Sequence, residues 1–248
     1  MIAPITSAWL VGSDPGDPDT SRAPALLADD ERLARIDEGR LFGAERVRTL
    51  GMIPNEYLYY FYAGDRAVAG MREAPRGAFL LERQAAFYAG GGDALAAWRA
   101  ARAERDRSYM AEAGLAGTHE EDPGGYEGEA MAIVEAIATG AAAERIVNIA
   151  NVSALPFLDA RAVVEVPTLI DSAGARPLAV GAVPDHARGL IESVKATERA
   201  TIEAALTGSA ARAVQALALH PLVPSLDTAR AIFAGYRERL GELRERFT

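Results

Sequence analysis

No cysteine occurs in this chain. That excludes disulfides, thiolate metal ligands and a cysteine nucleophile. Histidine is scarce too, with 3 in 248 residues. Basic charge is in deficit, because 26 Lys and Arg stand against 35 Asp and Glu, for a net charge of -9. That balance argues against a nucleic-acid or anionic-membrane partner, either of which favours a basic patch. A few local arginines could still hold an anionic substrate. No apolar run approaches the roughly 20 residues that cross a bilayer. The N-terminus carries no basic segment followed by an apolar one. The expectation is a cytoplasmic protein. Aromatic residues are few as well, at 7%. Half of the 8 tyrosines nevertheless fall in one run, as Tyr57, Tyr59, Tyr60 and Tyr62. A phenol is one of the few side chains here that could serve as a base.

The chain is 50% hydrophobic and 25% charged, which suits a globular protein with a substantial core. Gly12 to Pro24 reads as a loop. Leu26 to Leu50 reads as one or two short helices punctuated by Gly39 and Gly43. Pro54 resets the chain, and Asn55-Glu56 starts a helix with Tyr57, Tyr60 and Phe61 on one face. Pro75 and Gly77 break the next segment. Phe79 to Tyr88 reads as a helix stopped by Gly90-Gly91-Gly92. Asp93 to Glu112 reads as a helix anchored by Leu95, Trp98 and Tyr109. A loop from Leu115 to Gly125 precedes a helix over Glu127 to Ala138.

The pattern then changes. Arg145 to Ala150 and Ala162 to Val166 read as strands. Thr168 to Ile170 and Pro177 to Val180 read as a hairpin about Asp171 to Gly174. A helix follows from Pro184, with Leu190, Ile191, Val194, Ile202, Ala205 and Leu206 on its buried face and Gly208 as C-cap. Two helices close the chain, over Ala210 to Leu219 and Asp227 to Phe247. There is no repeat and no clean linker. The expected architecture is one α+β domain spanning residues 1–248.

Several segments, in order, resemble glycoside hydrolase family four, the family of 6-phospho-β- and 6-phospho-α-glucosidases. Leu50 to Tyr62 resembles its "LGMIPNEYLRYYY" segment. Arg76 to Glu82 resembles "RGEFLLE", and Gly124-Gly125-Tyr126-Glu127 resembles "GGYE". Asn148 to Asn151 and Val163 to Pro167 resemble "NVRN" and "VVEVP". Lys195, Arg199, Ala204-Ala205 and Ala218 to Val223 extend the match. The likeness is greatest to the β-specific bacterial branch.

The resemblance implies a fold like the C-terminal domain of lactate and malate dehydrogenases, and a homo-oligomer. It also implies a mechanism outside the usual two-carboxylate scheme. NAD takes hydride from C3 of the sugar, a divalent metal such as Mn2+ polarises the ketone, and a tyrosine removes the C2 proton. On this likeness Tyr57 is the base. A free phenol has a pKa near 10. Arg76 is a neighbour for substrate or phosphate, and Asn148 and Asn151 help to close the substrate site. The substrate would be a 6-phosphorylated glycoside or another sugar phosphate.

The likeness covers only the family's second half. No G-x-G-x-x-G follows a strand near the start, so the N-terminal Rossmann domain and its NAD loop are absent from this sequence. The family's metal Cys lies upstream, and alignment on Trp9 puts Thr6 where its metal His would stand. The chain therefore reads as a truncated gene, a split protein with a separate Rossmann half, or a fragment. Alone it should be inactive. The alternative is a non-catalytic remnant that binds a sugar phosphate or serves as an oligomerisation module.

Simpler readings stand beside these roles. The tyrosine run could be a helix face packed in the core, and Tyr59, Tyr60 and Tyr62 read mainly that way. Arg76 could anchor a loop. His220, before Pro221, reads as a capping or packing residue, and His119 and His186 as solvated loop residues. Glu165 reads as a charged strand edge or interface residue. Arg99 to Arg107 reads as a solvated helix face.

Overall fold

A computed structural model describes residues 22–73, 75–109 and 125–247. The expectations for Met1 to Leu10, for the Gly12 loop up to residue 21, for Thr6, Trp9 and His119, and for Gly124 lie outside the described residues. So does the side chain of Tyr126. The described residues fall into two compact units, divided between Glu129 and Ala130.

The unit before the division is helical. Where one or two helices were expected, four short ones form: α1 (Arg22–Leu27), α2 (Asp30–Leu33), α3 (Asp37–Phe42) and α4 (Ala44–Leu50). Local chemistry explains the breaks. Asp29 caps α2 by accepting from the Arg32 N–H at 3.0 Å. Gly39 passes so close to α2 that a Cβ there would lie 1.9 Å from the Leu33 carbonyl oxygen. Gly51 closes α4 in the left-handed conformation. The core gathers Leu33, Leu41, Phe42, Val47, Met52, Ile53, Leu58 and Tyr59. A 3-10 turn, Glu56–Leu58, leads into α5 (Tyr59–Tyr62) and α6 (Gly64–Glu73).

Next comes a hairpin of α7 (Arg76–Ala89) and α8 (Ala94–Arg107). Gly77 lies inside α7 and does not break it, because Pro75 already sets the boundary as N-cap. Asp93 caps α8 through the N–H groups of Leu95 and Ala96. The apolar anchors expected on α8 are not buried: Leu95 and Trp98 are both exposed. Neither helix buries any residue.

Helix α9 (Gly125–Thr139) crosses the division. The second unit holds an antiparallel sheet in the order β1 (Ala143–Ala150), β2 (Val163–Asp171), β3 (Gly174–Pro177). The two segments expected on either side of Pro167 are one strand. The Pro167 carbonyl accepts from the Leu178 N–H at 2.8 Å, just past the end of β3. Its missing donor thus falls where the ladder stops. β2 buries Val164, Val166, Thr168 and Ile170. Val164 and Val166 pack with Ala154 and Leu155.

Four helices follow: α10 (Asp185–Thr207), α11 (Ala210–Leu219), α12 (Leu226–Arg239) and α13 (Gly241–Arg246). α10 buries Leu190, Ile191, Val194, Ala200 and Ala204, and Gly208 caps it at φ +71. Ile202 and Leu206 lie off that stripe and are exposed. The final helix breaks at Leu240, which is extended. The architecture is α+β, as the sequence pattern implies. Among the described residues, no helix is long and apolar enough to cross a membrane.

Candidate functional site

Asn55 fixes the start of the tyrosine run. Its Oδ1 accepts from the Tyr57 N–H at 2.9 Å, an Asx cap of the 3-10 turn. The turn points alternate rings in opposite directions. Tyr59 goes inward, at 1% exposure, and meets Phe42 edge to face at 6.1 Å. Tyr57 goes outward, at 49% exposure. Of the three residues expected on one helical face, Tyr57 and Phe61 are exposed. The ring that enters the core is Tyr59.

Arg76 reaches the same neighbourhood from the first turn of α7. Its Nε donates to Ser108 Oγ and its Nη2 to the Arg105 carbonyl, each at 3.4 Å. Its guanidinium carbon lies over the Tyr109 ring, 5.3 Å from the centroid. The Tyr109 hydroxyl donates to Glu56 Oε1 at 2.7 Å and is hydrogen-bonded to the Tyr57 side chain. Tyr109 therefore links Tyr57 to Arg76. Burial, followed by the hydrogen bonds to Tyr57 and Glu56, pushes the Tyr109 phenol far above its ordinary value. It stays protonated and remains a donor.

Glu56 and Tyr109 were missing from the sequence-based site. Glu56 follows Asn55 and reads only as a helix-start residue. Tyr109 reads as an apolar anchor, 53 residues from Glu56, and only the tertiary fold joins them.

Asn148 and Asn151 belong to the other unit. Asn148 is exposed on β1, directly opposite Glu165 on β2. Glu165 is half-buried; its Oε2 is buried without a hydrogen-bond partner, and burial raises its carboxyl. Asn151 is fully buried. Its Nδ2 donates to the carbonyls of Leu155, Leu158 and Asp159 at 3.0–3.2 Å. Its Oδ1 accepts from the Leu155 N–H at 2.8 Å. The amide is spent on closing the loop after β1, so it has no free donor for a sugar.

The histidines stand apart. His220 is the C-cap residue of α11, and its Nδ1 accepts from the Leu222 N–H at 3.1 Å. That is the capping role its place before Pro221 suggests, and burial lowers its pKa. His186 is exposed, in the first turn of α10 and not in a loop. Among the described residues, no cluster of three or more His, Cys, Asp or Glu could hold a metal ion. An open groove of about 840 Å³ runs between α11, α12 and α13, floored by Val214, Leu226 and Phe233. It contains none of the candidate residues.

These features can be set beside known proteins. A 6-phospho-alpha-glucosidase of Leptotrichia buccalis is 28% identical over 181 residues, 73% of this chain and 38% of that protein. A maltose-6'-phosphate glucosidase of Fusobacterium mortiferum is 32% identical over 100 residues, 40% of this chain and 23% of that protein. Among solved structures, the 6-phospho-beta glucosidase from Thermotoga maritima, determined with manganese, NAD+ and glucose-6-phosphate, superposes with a TM-score of 0.61. It is 21% identical, and the match covers 90% of this chain and 48% of that one. A 6-phospho-alpha-glucosidase from gut microorganisms, solved with NAD and Mn2+, gives a TM-score of 0.61 at 18% identity over 92% of this chain and 52% of that one. At these identities the superpositions show the fold. The chain spans about half the length of the solved relatives and less of the curated ones. The sequence pattern of the family 4 glycosyl hydrolase C-terminal domain matches residues 9–223, and the chain belongs to that family.

Proposed function

We propose that this chain supplies the sugar-phosphate-handling part of a cytoplasmic 6-phosphoglucosidase. Tyr57 acts as the base that takes a proton from a sugar carbon. Arg76 provides positive charge for the phosphate, and Asn148, exposed on β1, is a further candidate for contact with a sugar. Asn151 is given no substrate contact, because its amide holds the loop after β1. The observation that carries this reading is the Tyr57–Tyr109–Arg76 cluster, in a half-exposed position on a chain of this family. The relatives support the substrate class: two are named for 6-phosphorylated glucosides, and one was solved with glucose-6-phosphate.

NAD and Mn2+ accompany the solved relatives, and the complete enzyme would use both. The described residues do not fit either group: they hold no metal-ligating cluster and no Gly-rich dinucleotide loop. No step through either is assigned to these residues. By family likeness we further propose a separate Rossmann half, a homo-oligomeric assembly, and no turnover by this chain alone.

The melting temperature of the chain tests the reading. Glucose 6-phosphate should raise it by mass action, and glucose at the same concentration should not. An unchanged melting temperature in saturating glucose 6-phosphate contradicts the sugar-phosphate role. Turnover of a 6-phospho-β-glucoside by the chain alone, with NAD and Mn2+, contradicts the division of labour.

A further inference from the structure

Tyr109 has a geometry that packing does not require. It follows the last turn of α8, and its hydroxyl donates to Glu56 Oε1 at 2.7 Å while also bonding the Tyr57 side chain. A phenol has one proton, so it cannot donate to both partners at once. Arg76 lies across its ring at 5.3 Å and is tied to Ser108, the preceding residue. Three chemically distinct groups thus converge on one phenol.

We infer that Tyr109 is a positioning residue for Tyr57, whose single hydroxyl proton turns between the Tyr57 oxygen and the Glu56 carboxylate as Tyr57 changes charge. The inference rests on the reading of Tyr57 as the base. When Tyr57 is a phenolate, the Tyr109 O–H donates to it. When Tyr57 has taken the sugar proton, the C–H bond has broken, a new O–H bond stands on Tyr57, and the C–H electron pair stays with the sugar. Tyr57 then donates to the Tyr109 oxygen, and Tyr109 donates to Glu56. No proton leaves Tyr109. Its raised pKa, caused by burial and these same hydrogen bonds, suits a group that must remain a donor throughout. Asn55 completes the arrangement by fixing the Tyr57 backbone.

The test is nitration of the chain by tetranitromethane, which attacks phenolates, at one fixed pH. Modification at each tyrosine is read by mass spectrometry, and melting curves check the fold. Tyr109→Phe should slow nitration of Tyr57 roughly fivefold, the worth of a charge-assisted hydrogen bond partly open to water. Glu56→Gln should speed it, because the charge that competes for the Tyr109 proton is gone. Exposed Tyr236, in the other unit, should react equally in all three proteins. A packing role predicts instead that both substitutions loosen the turn and speed nitration. Unchanged or faster nitration of Tyr57 in Tyr109→Phe overturns the inference. If that variant melts early, Glu56→Gln decides through rate and melting curve together: faster nitration at the parent's melting temperature supports the inference, and nitration no faster than in the parent, or faster only with a lowered melting temperature, overturns it. Protection of Tyr57 by glucose 6-phosphate reads the sugar-phosphate proposal separately. Its absence would defeat that proposal and leave the Tyr109 result standing.

Discussion

The tyrosine turn in the first unit and the loop after β1 in the second are both built from motif residues with polar side chains, yet they spend them differently. At the turn, the backbone is fixed by Asn55, and the Tyr57 phenol is left half-exposed with another phenol as its partner. At the loop, Asn151 is buried and its amide closes the backbone on itself through four hydrogen bonds. A polar motif residue can serve the fold or the chemistry. Burial and hydrogen-bond saturation tell which, and residue type does not.

The sharpest way to break this contrast is Asn151→Ala. It strands a buried N–H and the carbonyls of the loop, so it should cost about 4 kcal/mol of stability. Asn148→Ala, at an exposed strand position, should cost less than about 0.5 kcal/mol. Urea denaturation of the two variants measures both. Near-equal losses would erase the distinction drawn between the two asparagines.

Tyr59→Phe should have a smaller effect, of opposite sign. The Tyr59 hydroxyl is buried without a hydrogen-bond partner, so removing it should stabilise the fold by about 1 kcal/mol. Tyr57→Phe should cost no more than about 0.5 kcal/mol, since its ring is half in water and it loses only a partly solvated hydrogen bond to Tyr109. Thermal melts of both variants check this. A destabilised Tyr59→Phe would mean that the inward ring needs its hydroxyl.

The smallest effect concerns pH. The hydrogen bond from Arg176, then that from the Ala173 N–H, holds the Asp171 carboxyl below its ordinary range. Its folded-state pKa therefore lies below the unfolded value near 3.9. The stability it contributes is full above that value and is lost as pH falls through the folded one. Arg176→Ala should flatten the decline in melting temperature below about pH 4. An identical acid profile would show that the β2–β3 turn contributes nothing measurable to it.

Much of this was legible in the sequence. The α+β order, the Asp171–Gly174 turn, the Gly208 cap and the start at Asn55 are all set by local chemistry. The helix-face errors share one cause. Leu95, Trp98, Ile202 and Leu206 are apolar, but composition alone does not say which side of a helix meets the core. Pro167 looked like a break because its strand continues only by placing the missing donor at the end of a ladder. The Tyr57 cluster was half legible: Tyr57 and Arg76 came from the motif segments. Glu56 and Tyr109 join it through a contact spanning 53 residues, which no local pattern encodes.

Titration calorimetry of glucose 6-phosphate into the chain and its Arg76→Ala variant tests the central claim most directly. Binding should be seen with the parent chain, be absent with glucose, and weaken by about tenfold or more in Arg76→Ala, the scale of a lost charge-assisted contact. Equal affinity in the two proteins, or no heat with either, would contradict a sugar-phosphate site built around Tyr57 and Arg76.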